Sequence, residues 1–264
     1  MQFQSPRYTL SATPPAERLA QCYGVGIAKS GTHSIAELFR PPLRSMHEPE
    51  PARTITFILA RANGEIGDEE AKRYVLARDR RLRLDVEASH FNVFLLRELV
   101  ALFPAARFVL TLREPRSWLD SIINQQLAHY SEAHWVKLRD LRFQPQRFPH
   151  RSGEEALRQR GLYSLDGYLR YWTWHQQTVL DTVPSDRLLL VPTHEIGARA
   201  EAIAAFGAIP ERFVRANRAP SYAAMKKFGV LDELDPQRLQ DAIETHCRAM
   251  VDKLFPRQAE SEVG

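Results

Sequence analysis

Lys29-Ser30-Gly31-Thr32 lies between an apolar run, Cys22 to Ile27, and apolar residues at helical spacing, Ile35, Leu38 and Phe39. That order predicts a strand, a tight loop and a helix, with Pro41 and Pro42 stopping the helix by Arg40. Such a loop turns backbone N–H groups and the positive end of a helix toward one point, which suits an anion. Gly26 and Gly31 have the glycine spacing of the phosphate loop G-x-x-x-x-G-K-[ST], but Thr32 and His33 follow Gly31. The loop lysine and magnesium-binding hydroxyl of that motif are therefore missing, and the available cation is Lys29, inside the loop. A plain helix cap with a solvated lysine would use the same residues. A second constellation stands at Arg113-Glu114-Pro115, after the apolar run Phe108 to Leu112, with Ser121 eight residues beyond Arg113. An arginine at a strand's carboxyl end offers a planar fork to a phosphate, and a serine two turns into the next helix adds a hydroxyl. The competing reading is a helix cap and a surface serine. Proton acceptors are present in His47-Glu48-Pro49-Glu50 and in His90. Neither an H-E-x-x-H pattern nor paired cysteines point to a metal.

The elements that must hold these residues alternate along the chain. Leu43 to Met46 reads as a short second strand, and the prolines at 49 and 51 predict an extended segment or loop. Residues 54 to 81 read as helical with a break at Gly64 to Asp68, and the basic run Arg78 to Arg83 as a solvated face. Arg81 to Val86 alternates like a strand, and a helix is expected over Val93 to Phe103. Arg107 to Leu112 is the clearest strand, and Pro115 opens a helix reaching about His129. Residues 130 to 161 read as an irregular lid or loop region, with Trp135 and Phe143 among several arginines. A strong helix over Ser164 to Val183, a strand over Arg187 to Val191, a short helix over Glu195 to Phe206 and a last helix over Pro236 to Phe255 complete the chain. Trp172 and Trp174 fall on different faces of their helix, so at most one belongs to the core. The alternation predicts an α/β fold, a three-layer arrangement with a mostly parallel β-sheet between helices.

Bulk properties narrow the class. The chain has 264 residues, 44% hydrophobic and 26% charged, which fits one globular domain over 1–264 led by a polar arm at 1–18. No secretory signal and no apolar stretch of membrane-spanning length is seen, so a cytoplasmic protein without membrane contact is expected. Cys22 and Cys247 are read as reduced thiols. A net charge of +4 suits an anionic ligand, and no basic stripe with interleaved aromatics argues for nucleic acid. Oligomeric state has no signature here.

The loop around Lys29 resembles the Lys/Arg-Ser-Gly-Thr-Thr loop of the sulfotransferases that use 3′-phosphoadenosine 5′-phosphosulfate (PAPS). The Arg113-Glu114-Pro115 strand end with Ser121 resembles that family's 3′-phosphate motif, with Glu114 where Asn or Asp is frequent. The segment from Leu165 to Ile196 is similar more loosely, so the resemblance spans 21 to about 196. It implies a P-loop-like fold and transfer of a sulfuryl group from PAPS to a hydroxyl or amine of a small-molecule or saccharide acceptor, leaving adenosine 3′,5′-bisphosphate. It also implies a phosphosulfate cradle from Lys29, Ser30, Gly31, Thr32, His33 and Ser34, and a 3′-phosphate clamp from Arg113 and Ser121. Asn217 to Pro220 would stand at the family's last cofactor loop. Two members' habits compete for the base: a glutamate after the second strand, matched by Glu48 or Glu50 at 19 and 21 residues beyond Lys29, and a histidine before the second motif, matched by His90. Glu48 is the first choice and His90 the second. A small-molecule kinase and an inactive nucleotide-binding module remain the rival readings. The former is disfavoured by Thr32 where the kinase lysine belongs.

Overall fold

A computed structural model describes residues 17–129, 132–215 and 226–256. Among the described residues five strands form one parallel sheet: β1 (Cys22–Gly24), β2 (Ser45–His47), β3 (Val86–Ala88), β4 (Arg107–Leu112) and β5 (Leu188–Pro192). Their order across the sheet is β2-β3-β1-β4-β5. In register, Cys22 pairs with Val86 on one side and with Arg107 on the other. The chain leaves β1 toward β2, returns through β3, and crosses to the other side only at β4. Parallel crossovers keep one hand, so connections running in opposite directions lie on opposite faces of the sheet. A crevice therefore opens between the carboxyl ends of β1 and β4, where such sheets receive ligands.

The helices form the two outer layers. On one face α1 (Thr32–Glu37) and α9 (Ala200–Phe206) cover a smaller core containing Ile35, Val86, Val109, Val191 and Ile203. The other face carries the larger core, with α2 (Pro51–Ala62), α3 (Asp68–Leu82), α4 (Leu96–Leu102), α5 (Pro115–Ala128), α6 (Ala133–Phe143), α7 (Glu155–Gln159), α8 (Leu165–Thr182) and α10 (Pro236–Leu254). Sequence and structure agree closely on β4, α5, α8 and α10. The Ser164 hydroxyl caps α8 at the Gly167 N–H, and the Asp235 carboxylate caps α10 at two N–H groups. Trp172 is fully buried, whereas Trp174 is 41% exposed. Cys22 and Cys247 are free and buried.

Four expectations are corrected. Pro51 starts α2 at the first helical position, so the proline-bearing segment ends three residues earlier than expected. The alternation at 81–86 is not a strand: α3 runs to Leu82, Arg83 closes it in the left-handed region at φ 48°, and the strand begins at Val86. Arg78 is not on a solvated face but buried, its guanidinium forked onto Glu87 at 2.5 and 2.8 Å. The segment read as irregular contains α6 and α7. Residues 217 to 220 and most of the N-terminal arm lie outside the described residues. Among the described residues no helix is long and apolar enough to cross a membrane.

Candidate active site

The loop after β1 is held from behind by side chains of four other segments. Buried His175 of α8 donates from Nε2 to the Val25 carbonyl at 2.8 Å. Trp118 of α5 donates to the Ala28 carbonyl at 2.8 Å, and Arg113 Nη1 to the Lys29 carbonyl at 2.8 Å. Thr193, just past β5, places its hydroxyl 2.6 Å from the Ser30 carbonyl and 2.8 Å from that of Leu112. The Ser30 hydroxyl donates to the Ile27 carbonyl at 2.6 Å and meets Thr111 Oγ1 at 2.6 Å. Helix α1 starts at Thr32, so the N–H groups of its first turn belong to Thr32, His33 and Ser34, all on the cleft side of the loop. The packing admits only glycine at position 26, where a Cβ would fall 1.8 Å from Thr111 Oγ1. Gly31 supplies the turn at φ 98°, and Lys29 itself stands in the left-handed region at φ 69°.

In front of this loop lies a cleft of about 750 Å³. Lys29, Gly31, Thr32, His33, Ser34, Glu48, His90, Arg113 and Ser121 all line it, so the structure brings together nearly every residue singled out from sequence. Ser30 is the exception. It is fully buried, with its hydroxyl and N–H both bonded to the Ile27 carbonyl, so it braces the loop from beneath. Glu50 is also set aside, held by Arg81 at 2.7 and 2.9 Å outside the cleft lining. Burial lowers the Lys29 pKa, Arg113 lowers it further, and Glu48 opposes both. Arg113 is likewise lowered by burial, against the pull of Asp120. Its Nε donates to Ser117 at 3.0 Å, and its own carbonyl accepts from buried Trp172 at 3.0 Å.

Glu48 and His90 form a hydrogen-bonded pair between Oε1 and Nδ1. Two short strands make the meeting possible. Glu48 leaves β2 at φ 47°, its N–H bonded to the Ala88 carbonyl at 3.2 Å, while His90 follows β3 in a turn capped by the Ser89 hydroxyl. His47 Nε2 lies 3.3 Å from the same Glu48 oxygen, and its Nδ1 donates to the Ala88 carbonyl at 2.9 Å. Burial alone would raise the Glu48 pKa, but His90, His47 and Arg142 outweigh it and pull it down to about 2. Burial pushes His90 down to about 4, against the attraction of Glu48. At neutral pH the pair is thus a carboxylate accepting from a neutral imidazole. The carboxylate is the more accessible partner, with its side chain 20% exposed against 4% for His90.

Sequence reasoning gave no site role to Ser117, Trp135, Arg139, Arg142, Thr193 or Lys227, and it named His47 only among the proton acceptors beside Glu48. Ser117 was legible as the residue one turn after Arg113. The others depend on long-range packing. Among the described residues, no group of three or more His, Cys, Asp or Glu is placed to hold a metal ion.

The family model described as "Sulfotransferase domain" matches residues 21–197. No curated protein matches the chain. Among solved structures, a sulfotransferase from Alicyclobacillus acidocaldarius aligns over 94% of this chain and 97% of its own, at 17% identity and TM-score 0.48. The sulfotransferase domain of the Synechococcus PCC 7002 olefin synthase aligns over 96% and 94%, at 14% identity and TM-score 0.41.

Proposed function

The chain belongs to the sulfotransferase domain family, and from that premise we propose that it transfers a sulfuryl group from PAPS to a hydroxyl or amine. The observation that carries the choice of donor is the tie between Arg113 and the Lys29 carbonyl at 2.8 Å, which sets both anion-binding motifs on one wall of one cleft. In this reading Lys29 and the N–H groups of Gly31 to Ser34 hold the 5′-phosphosulfate, and Arg113, Ser117 and Ser121 hold the 3′-phosphate. Glu48 removes the acceptor proton as the acceptor oxygen or nitrogen attacks sulfur, and the bond from sulfur to the bridging oxygen breaks. The electron pair leaves on that oxygen, where Lys29 meets the growing charge. His90 acts on Glu48, holding the carboxylate in place. Most of the rate then comes from positioning and from charge stabilisation in a partly dry cleft.

The test is nucleotide preference. Adenosine 3′,5′-bisphosphate should bind at least about tenfold more tightly than AMP, since one charge-assisted phosphate contact is worth roughly 1.5–3 kcal/mol. Arg113→Met should remove most of that preference, measured by calorimetry. Equal affinity for the two nucleotides in the parent protein would sink the donor assignment.

A further inference from the structure

The cleft holds more cation than the donor reading uses: Arg139 and Arg142 line it besides Lys29 and Arg113. Arg139 and Arg142 are three residues apart on α6, so they share a helix face, and both line the cleft. The same helix packs Trp135 against His90 and Phe91, with ring centres 6.2 and 5.6 Å apart. Arg142 is therefore on the wall that carries the Glu48–His90 pair. Its guanidinium lies between the rings of Phe91, Phe94 and Tyr171, at 5.9, 5.7 and 5.5 Å from their centres. Buried Nε and Nη2 have no hydrogen-bond partner, and no carboxylate within ion-pair distance appears for either arginine among the described residues. Ring faces return part of the lost hydration, but an uncompensated buried guanidinium remains costly. Glu48, the carboxylate on this wall, is already bonded to His90.

We propose that the acceptor is itself anionic: a ring-bearing hydroxy acid whose carboxylate pairs with Arg142, assisted by Arg139, while its hydroxyl faces Glu48. This rests on the sulfotransferase reading and on Glu48 as the base, and it makes Arg142 a specificity-determining residue. Trp135 and Phe143, which also line the cleft, supply apolar walls for the ring. Arg142 lines the cleft, and with Nε and Nη2 enclosed the carboxylate would meet it through Nη1.

The experiment is a binding panel on the full chain saturated with adenosine 3′,5′-bisphosphate. The probes are 4-hydroxybenzoate and 3-(4-hydroxyphenyl)propanoate, each beside its neutral amide. At least one carboxylate should bind roughly tenfold or more tightly than its amide, the value of one charge-assisted contact. Arg142→Met keeps an unbranched apolar stem without the charge and should bring that ratio close to one without changing bisphosphate affinity, which also reports that the variant is folded. Arg142→Lys should keep part of the ratio. The proposal is overturned if no carboxylate out-binds its amide, including the case in which neither binds, or if Arg142→Met leaves the ratio intact. Arg142 acting only through Glu48 would show as an altered pH profile with an unchanged ratio, which also counts against it. If the bisphosphate itself fails to bind, the donor reading falls separately, and the same ratio on the ligand-free protein decides the acceptor question.

Discussion

Glu48 and His90 were rival candidates along the sequence, and in three dimensions they are one unit. A neutral imidazole that donates to a carboxylate orients it and lowers its proton affinity, which leaves Glu48 ionised throughout the neutral range. The cost of a low pKa is weak basicity, so proton transfer must occur late, as the sulfur–acceptor bond forms. Glu48→Gln should lower kcat by about 10²–10⁴-fold with donor affinity intact, the usual range for a general base. His90→Asn should cost less and have a second signature. Without the imidazole, Glu48 loses the largest influence that holds its pKa down, so the acid limb of the pH–rate profile should move to higher pH. A larger loss in His90→Asn than in Glu48→Gln would make the imidazole the base, with the carboxylate orienting it.

At the scale of elements, the site is a loop whose shape is dictated by its neighbours. The pattern of strand, loop and helix was readable because Cys22 to Phe39 carries local signals: an apolar run, two glycines and a helical stripe. Its bracing was not readable, because Thr193, Trp118 and His175 come from distant parts of the chain. Helix α6 was missed for a related reason: its buried residues are only Leu138 and Phe143, so no apolar stripe marks it. The misplaced strand at 81–86 shows how Arg-Leu-Arg-Leu alternation can belong to a helix end, where Leu82 terminates α3. Arg78 was misread because a buried arginine is recognised only by its partner, and Glu87 lies on the next strand. The bracing predicts a measurable effect. Thr193→Val keeps the shape but deletes the hydroxyl that serves the Ser30 and Leu112 carbonyls. It should destabilise the protein by about 1–3 kcal/mol in urea titrations. It should also weaken adenosine 3′,5′-bisphosphate binding, because the loop carbonyl is no longer held away from the phosphates. Unchanged affinity with the expected stability loss would mean that the loop keeps its form without this brace.

For the molecule as a whole, the same burial that prepares the cleft sets how stability responds to acid. His90 and His175 are both buried, and burial lowers them from 6.5 to about 4 and about 3 respectively. The unfolded chain would take up protons on both near pH 6.5, whereas the folded protein resists until pH about 4 and below. Between those limits the unfolded state binds more protons, so stability rises with pH across the window and is lost as pH falls through it. Glu48 adds a lower step with the same sign, since its stabilisation is present above 4.5 and disappears as pH falls toward about 2. Urea midpoints should therefore decline steadily from pH 7 to pH 4, ahead of most carboxylate titration. His175→Asn removes one of the two groups, so its slope across that window should be shallower than the parent's, even if its stability is lower throughout. Equal slopes would mean that His175 is not held neutral. Its bond to the Val25 carbonyl would then have to survive protonation, with the added charge met by solvent entering behind the loop.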